Sequence, residues 1–224
     1  AEEETHVPRH LSNSCILVTS SWERIFSFLR SLSRSVDFER VTNETSVKGK
    51  LSLEGTGQHS LHTGLGFFDH MLAQIARHGG MDLKIEVSGD LYVDEHHTME
   101  DVGLALGKAF LEAQGTKKGL ARYGFHVPMD ESQANCLVDL GGRPYLSWQV
   151  GFAREKIGDV PTEMFEHFFR SFADEARCNI HIQGSGKNEH HKIEAVFKAF
   201  ARALRMALRQ DTTDMSIPTT KGKL

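Results

Sequence analysis

The 224 residues contain only three cysteines, Cys15, Cys136 and Cys178, spaced widely along the chain. That is too few and too scattered for a disulfide framework, so the fold must rest on a packed core, and a reducing cytoplasm is the expected compartment. No apolar run reaches the roughly 18–20 residues that a membrane-spanning helix needs. Cys15-Ile16-Leu17-Val18 is short, and Glu2, Glu3 and Glu4 precede it where a secretory signal would be basic. Positive charge is not in excess either: the formal net charge is −4. A general nucleic-acid binder, which needs a basic stripe, is therefore not expected. What the chain does have in quantity is histidine, 13 in all.

Many of these histidines fall in one repeated motif. Asp94-Glu95-His96-His97-Thr98-Met99-Glu100-Asp101 returns as Asn188-Glu189-His190-His191-Lys192-Ile193-Glu194, so His-His-x-x-Glu occurs twice, 94 residues apart (His96 to His190). On a helix, residues three and four apart share a face, which puts both His96 and His97 near Glu100. Adjacent positions differ by about 100° around the axis, so the two imidazoles of a pair are expected to serve different ions. A histidine-rich helix start with an ordinary first-turn acid is the plain alternative for either copy alone. Two copies in matching contexts argue against it.

The surrounding pattern repeats as well. Phe68-Asp69-His70-Met71-Leu72 matches Phe165-Glu166-His167-Phe168-Phe169 at an offset of 97 (68 to 165), and Leu83, Ile85 and Ser88-Gly89 match Ile180, Ile182 and Ser185-Gly186 at the same offset. The offset falls to 94 at the histidine pairs, so the second turn is three residues shorter. Val47 to Leu53 alternates as a strand. Phe68, Met71, Leu72, Ile75 and Ala76 mark a helix ended by Gly79-Gly80. Leu83, Ile85 and Val87 form a strand that Leu91 and Val93 are expected to continue. Met99, Val102, Leu106, Ala109 and Phe110 follow the first motif as a helical face. In the second half, Cys136–Leu140 and Tyr145–Val150 flank Gly141-Gly142-Arg143-Pro144 and read as a hairpin with Asp139 and Arg143 near its turn. Helices through Phe165, Phe168, Phe169 and Phe172, and through Ile193, Val196, Phe197, Phe200 and Leu204, complete the half.

The expected fold is therefore α+β, an internal duplication of a small β-sheet covered on one face by two helices. The halves are expected at about 38–125 and 126–224. Residues 1–37 read as a leader: a short strand at Ile16-Leu17-Val18, a helix capped at Ser20 or Ser21 and carrying Trp22, Ile25, Phe26 and Leu29, and a Ser/Arg-rich linker from Ser31 to Ser35.

Each half offers one histidine in a helix (His70, His167), a histidine pair (His96-His97, His190-His191) and a glutamate (Glu100, Glu194). Divided equally, two ions would each receive three imidazoles and one carboxylate. Imidazole suits zinc, copper, iron and nickel, and added carboxylate widens the choice to manganese. A structural zinc site usually employs Cys, and no Cys lies near these ligands, which favours open catalytic ions. Arg122, Arg143, Lys198 and Lys221 could hold a phosphate, although any one of them alone is more commonly a solvated surface charge.

These stretches resemble the imidazoleglycerol-phosphate dehydratase family, whose members dehydrate imidazole glycerol phosphate to imidazole acetol phosphate in histidine biosynthesis. The resemblance is carried by Arg40-Val41-Thr42-Asn43-Glu44-Thr45, Gly64 to Leu72, Asp94 to Asp101, Gly141-Gly142-Arg143-Pro144, Glu166-His167-Phe168-Phe169 and Asn188 to Ala199, and it runs from about Arg40 to the end. It implies a cofactor of two manganese ions per active site, bound by His70, His96, His97, Glu100, His167, His190, His191 and Glu194. It implies substrate contacts from Glu44, Arg122, Arg143, Lys198, Thr219, Thr220 and Lys221, with Glu44 as the catalytic proton-transfer group. Family members often carry Ser-Ser-Lys at the tail, and Thr219-Thr220-Lys221 keeps the hydroxyls. The resemblance further implies a 24-subunit shell, a homo-oligomer with active sites between subunits. Residues 15 to about 36 resemble the last strand and helix of the histidinol-phosphate phosphatase half of bifunctional members. The phosphatase class uses an Asp-x-Asp motif that this sequence lacks, so no phosphatase activity is expected. A dinuclear hydrolase and a non-catalytic metal-binding assembly protein are the alternative readings of the same ligands.

Overall fold

The computed structural model describes residues 20–22, 25, 34–124, 127–210 and 216–221, with backbone only at 127–128. The expected strand at Ile16–Val18, and most of the helix and linker expected after it, lie outside these. The chain divides into two compact units, 1–34 and 35–224, and the second is the fold considered below. Strand β1 (Ser35–Val41) already begins at Ser35, within the leader and linker read from the sequence.

β1 is followed by β2 (Thr45–Ser52), β3 (His59–His62), α1 (Gly66–Gly79), β4 (Asp82–Gly89) and α2 (His96–Ala113). Then come β5 (Tyr123–Gly124), β6 (Val127–Met129), β7 (Ser132–Asp139), β8 (Tyr145–Val150), the small hairpin of β9 (Lys156–Ile157) and β10 (Val160–Pro161), α3 (Glu163–Ala176), β11 (Asn179–Ser185) and α4 (Glu189–Ala207). Alternation makes the strands: Thr45, Val47 and Leu51 of β2 turn inward, as do Ser132, Ala134, Cys136 and Val138 of β7. Gly80, at φ 67°, stops α1 by donating its N–H to the carbonyl of Ala76.

The two halves share one topology. In the first sheet the order is β1-β2-β4-β3, with β2 antiparallel and β3 parallel to β4. In the second, β5 and β6 both pair β7, which runs antiparallel to β11, while β8 runs parallel to it. The fold is thus a duplicated α+β unit. It also corrects the expected hairpin. β7 and β8 are adjacent in sequence but not in space, because β11 arrives later and pairs with both, as β4 does with β2 and β3. The Gly141–Pro144 stretch is consequently a crossover loop rather than a hairpin turn. Leu91 and Val93 do not continue β4 either. The Val93 amide donates to the carbonyl of Asp90 at 2.7 Å, closing a turn that carries the chain off the sheet.

In this unit α1 to α4 lie on the inner faces of the sheets, α1 packed on α4 and α2 on α3. Phenylalanines fill the space between them: Phe68 meets Phe168 edge-on at 5.3 Å, Phe110 meets Phe172 at 5.5 Å, and Phe169 meets Phe200 at 5.0 Å. The α2–α3 crossing depends on Gly103 and Gly107. A Cβ at Gly107 would stand 2.5 Å from the carbonyl oxygen of Phe172, and one at Gly103 2.9 Å from that of Phe168. We expect Gly107→Ala to lower stability by about 1–3 kcal/mol by prising these helices apart. Denaturant unfolding checks this, and an unchanged midpoint would show that the crossing tolerates the methyl group.

Candidate metal centres and anion groove

The start of α2 is set by Asp94, whose carboxylate accepts the His96 amide at 2.8 Å. One turn on, Glu100 lies under His96, with His96 Nε2 3.5 Å from Glu100 Oε2. The close α2–α3 crossing then brings in His167 of α3, whose Nε2 is 3.4 Å from the same carboxylate oxygen. The His96 and His167 rings are 4.6 Å apart. The second copy is built alike. Asn188 caps α4 by accepting the His190 and His191 amides, and His190 Nε2 sits 3.5 Å from Glu194 Oε2. His70 of α1 completes it, its ring 5.9 Å from that of His190. In each trio one donor atom per residue lies within 4.8 Å of the others.

Each trio is thus two imidazoles and one carboxylate, and each draws on both halves of the chain. Helical spacing alone cannot show this, because it fixes a face and not what faces it. His97 and His191 belong to neither trio, and the carboxylates bonded to them lie elsewhere. His97 Nδ1 is 3.0 Å from Asp90 Oδ2, and His191 Nδ1 is 3.1 Å from Glu131 Oε2. The hydrogen bond to Asp90 raises the pKa of His97, and that to Glu131 does the same for His191. Glu131 in turn is pulled down to about 2 by its bond with His191.

The donor set suits a divalent ion with mixed nitrogen and oxygen preference, manganese among them. One atom fits such an ion. His167 Nε2 is buried with the Glu100 carboxylate 3.4 Å away, yet makes no aligned hydrogen bond among the described residues, which leaves a polar atom that an ion would satisfy. Glu194 is adapted to remain ionised. Burial pushes its carboxyl up, but Lys198, 2.8 Å away, together with His70 and His190, brings the net value below the usual range.

Glu44 occupies the turn between β1 and β2, and its position is anchored by a network that sequence reasoning missed. Thr45 Oγ1 and Thr42 Oγ1 both donate to Asp101 Oδ2, and Arg40 Nε donates to Asp101 Oδ1 at 2.6 Å. Asp101 is only 6 % exposed. Burial raises its carboxyl, yet the bonds from Thr45 and Arg40 leave it below the ordinary 3.8. The anchor is therefore in force above that pH and is lost as pH falls through the lowered value. It ties the Glu44 turn to the second residue after Met99 on α2, so Glu44 lies close enough to help hold the proton of His97. Asp101 directly follows Glu100, but nothing in the sequence links it to Arg40, Thr42 and Thr45, which lie 56 or more positions earlier.

Arg122, Arg143, Thr219, Thr220 and Lys221 line an open groove of about 960 Å³. Arg122 donates through Nε and Nη2 to Asp139 and through Nη1 to the carbonyl of Pro218 at 2.9 Å, so it fastens the 216–221 segment to the corner after β7. Gly141 lies against this ion pair: a Cβ there would stand 2.7 Å from Arg122 Nη2 and 2.9 Å from Asp139 Oδ2, so a larger residue would make these side-chain ends shift. Buried Lys117 holds the same corner by donating to the Leu140 carbonyl at 2.9 Å. Lys198 lies elsewhere, between Glu194 and the sulfur of Met129 at 3.2 Å. The structure thus separates the substrate-contact candidates into three places: the groove, Lys198 beside the second trio, and Glu44 beside His97.

Residues 63–204 match the family model described as imidazoleglycerol-phosphate dehydratase. The bifunctional histidine-biosynthesis protein HisB of Spirosoma linguale is 54 % identical over 215 residues, 96 % of this chain but 56 % of its own length. That of Bacteroides fragilis is 51 % identical over 96 % of this chain and 57 % of its own. The chain therefore spans about half the length of these curated relatives. The imidazoleglycerol-phosphate dehydratase of Gluconacetobacter diazotrophicus is 52 % identical over 86 % of this chain and 98 % of its own. Among solved structures, the Staphylococcus aureus enzyme of that name superposes with a TM-score of 0.71 at 39 % identity, covering 79 % of this chain and 100 % of its own.

Proposed function

The chain belongs to the imidazoleglycerol-phosphate dehydratase family, and on that premise we propose that it dehydrates imidazole glycerol phosphate to imidazole acetol phosphate in histidine biosynthesis, using two manganese ions. The observation that carries this reading is the pair of trios, His96-Glu100-His167 and His70-His190-Glu194, together with a glutamate on an anchored turn whose charge acts on His97. A protein that used metal only to hold copies together would give no reason for a buried aspartate to lock that turn.

The chemical difficulty is the substrate hydrogen on the carbon bearing the ring, which is barely acidic. Bound at the trios, the ions supply Lewis acidity that makes loss of this proton from an imidazole-bearing substrate feasible. The rest falls to the chain's own groups. Glu44 moves the proton, and its carboxylate is available because it makes no hydrogen bond or ion pair among the described residues. Arg143, with Thr219, Thr220 and Lys221, offers donors for the phosphate; Arg122 sets the groove's shape and adds positive charge.

His97 and His191 complete the reading. Each presents Nε2 away from its carboxylate partner, and each trio lacks a third imidazole. We take the missing donors to come from neighbouring copies, so that the active site lies between subunits of a homo-oligomer, in the 24-subunit arrangement that the family resemblance implies.

Incubating the purified chain with imidazole glycerol phosphate and manganese tests the proposal through formation of the ketone product. Absence of product from metal-loaded, assembled protein would refute it. Arg143→Ala should raise KM by about 10- to 100-fold, since a charge-assisted hydrogen bond contributes about 1.5–3 kcal/mol. It should change kcat less, because a phosphate anchor binds substrate and transition state alike. A fall in kcat alone would remove Arg143 from that role.

A further inference from the structure

We propose that Asp90 and Glu131 are the positioning carboxylates for the two histidines outside the trios, and that the halves of the duplication have exchanged this duty in a way that frees Glu44 for chemistry. The proposal rests on the metal reading above.

The sheet registers make the comparison between halves. Ser88 of β4 pairs with Ser46 of β2, and Ser185 of β11 pairs with Gln133 of β7. Matching Ser88 with Ser185 therefore matches Ser46 with Gln133. Two residues before these, Glu44 is the counterpart of Glu131. Two residues after Ser88 and Ser185, Asp90 is the counterpart of Lys187. In the first half, the carboxylate bonded to the histidine is Asp90, and the Glu44 carboxylate acts on His97 through its charge alone, with no hydrogen bond or ion pair among the described residues. In the second half, position 187 is a lysine, and Glu131, standing where Glu44 stands, holds His191 instead.

The exchange has a mechanical reason. Seven positions separate Asp90 from His97, and four separate Lys187 from His191, because the second turn is three residues shorter. The longer first turn lets a side chain at position 90 reach back to the imidazole. In the second half the turn runs directly into the Asn188 cap. Glu131 reaches His191 from the neighbouring strand connection, and is itself oriented by the Asn188 amide, which donates to Glu131 Oε1 at 3.2 Å.

In both halves the carboxylate takes Nδ1, at 3.0 Å from Asp90 and 3.1 Å from Glu131. Nδ1–H donating to the carboxylate fixes the tautomer that leaves the Nε2 lone pair for an ion. The duplication has thus kept one task in both halves but moved the residue that performs it. A single copy of the chain carries one unencumbered glutamate at this turn position, not two.

Manganese titration of the metal-stripped chain, read by calorimetry and by the electron paramagnetic resonance of bound manganese, tests this. Asp90→Ala and Glu131→Ala should each weaken manganese binding by about 10- to 100-fold, the usual effect of losing such a partner. Asp90→Asn and Glu131→Gln, which keep an acceptor, should recover much of the affinity and also guard against a misfolded Ala variant. Glu44→Gln should bind manganese as the parent does. Parental affinity in both Ala variants would overturn the proposal, as would an equal loss of affinity in Glu44→Gln. Failure of the parent protein to bind manganese would remove the metal reading together with this one. Asp130, Glu131 and His191 also bring one donor atom each within 4.8 Å of the others, and a further ion bound there and abolished by Glu131→Ala would show them to be an ion site and also overturn the proposal.

Discussion

Glu44→Gln is expected to lower kcat by about 10²–10⁴-fold, the range that general acid–base catalysis contributes, while particle mass and manganese content stay as in the parent. The substitution is nearly isosteric and removes only the ability to carry a proton. Nothing structural should follow from it, because the turn is held by its neighbours: Thr42, Thr45 and Arg40 all bind Asp101, and the Glu44 carboxylate bonds to none of them. The same network predicts the opposite profile for Asp101→Ala, which should loosen the turn and leave Glu44 present but misplaced. Steady-state kinetics with metal analysis of the same sample decides the matter. A near-normal kcat in Glu44→Gln would take Glu44 out of proton transfer.

Strong chelation is expected to abolish turnover and reduce the particle mass together, and added manganese to restore both. The reasoning is that each trio in one copy supplies two imidazoles and one carboxylate, whereas His97 and His191 stand apart, with no hydrogen bond to Nε2 among the described residues. If a neighbouring copy's histidine completes each ion's shell, metal binding stabilises only the assembled state, and mass action couples the two. His97→Ala should then impair assembly as well as turnover, unlike Glu44→Gln. Size-exclusion chromatography with light scattering checks this. A fully stripped, inactive sample that kept its full mass would show the ions to be catalytic alone.

Local periodicity carried most of the fold. The helices through Phe68, Phe110, Phe168 and Phe197 bury the faces that their 3.6-residue spacing marks, and the matched stretches at offset 97 correspond to α1 with α3 and β4 with β11. What stayed illegible was non-local. Nothing near Gly141–Pro144 indicates that β11 will come between β7 and β8, since that pairing is decided by residues some 35 positions later. The trios mix both halves for the same reason. His96 and Glu100 share a face by spacing, but His167 joins them only because Gly103 and Gly107 let α3 approach. The exact repeat of the motif also concealed a difference, since His97 and His191 take carboxylates from non-equivalent positions.

On the proposed function, this chain needs both ions to dehydrate imidazole glycerol phosphate. Titrating manganese into metal-stripped protein, with bound metal and product formation followed in the same samples, tests it most directly. The account predicts no product without metal and turnover that rises as bound manganese approaches two ions per chain. Full turnover by the stripped protein, or none after the ions are bound, would contradict it.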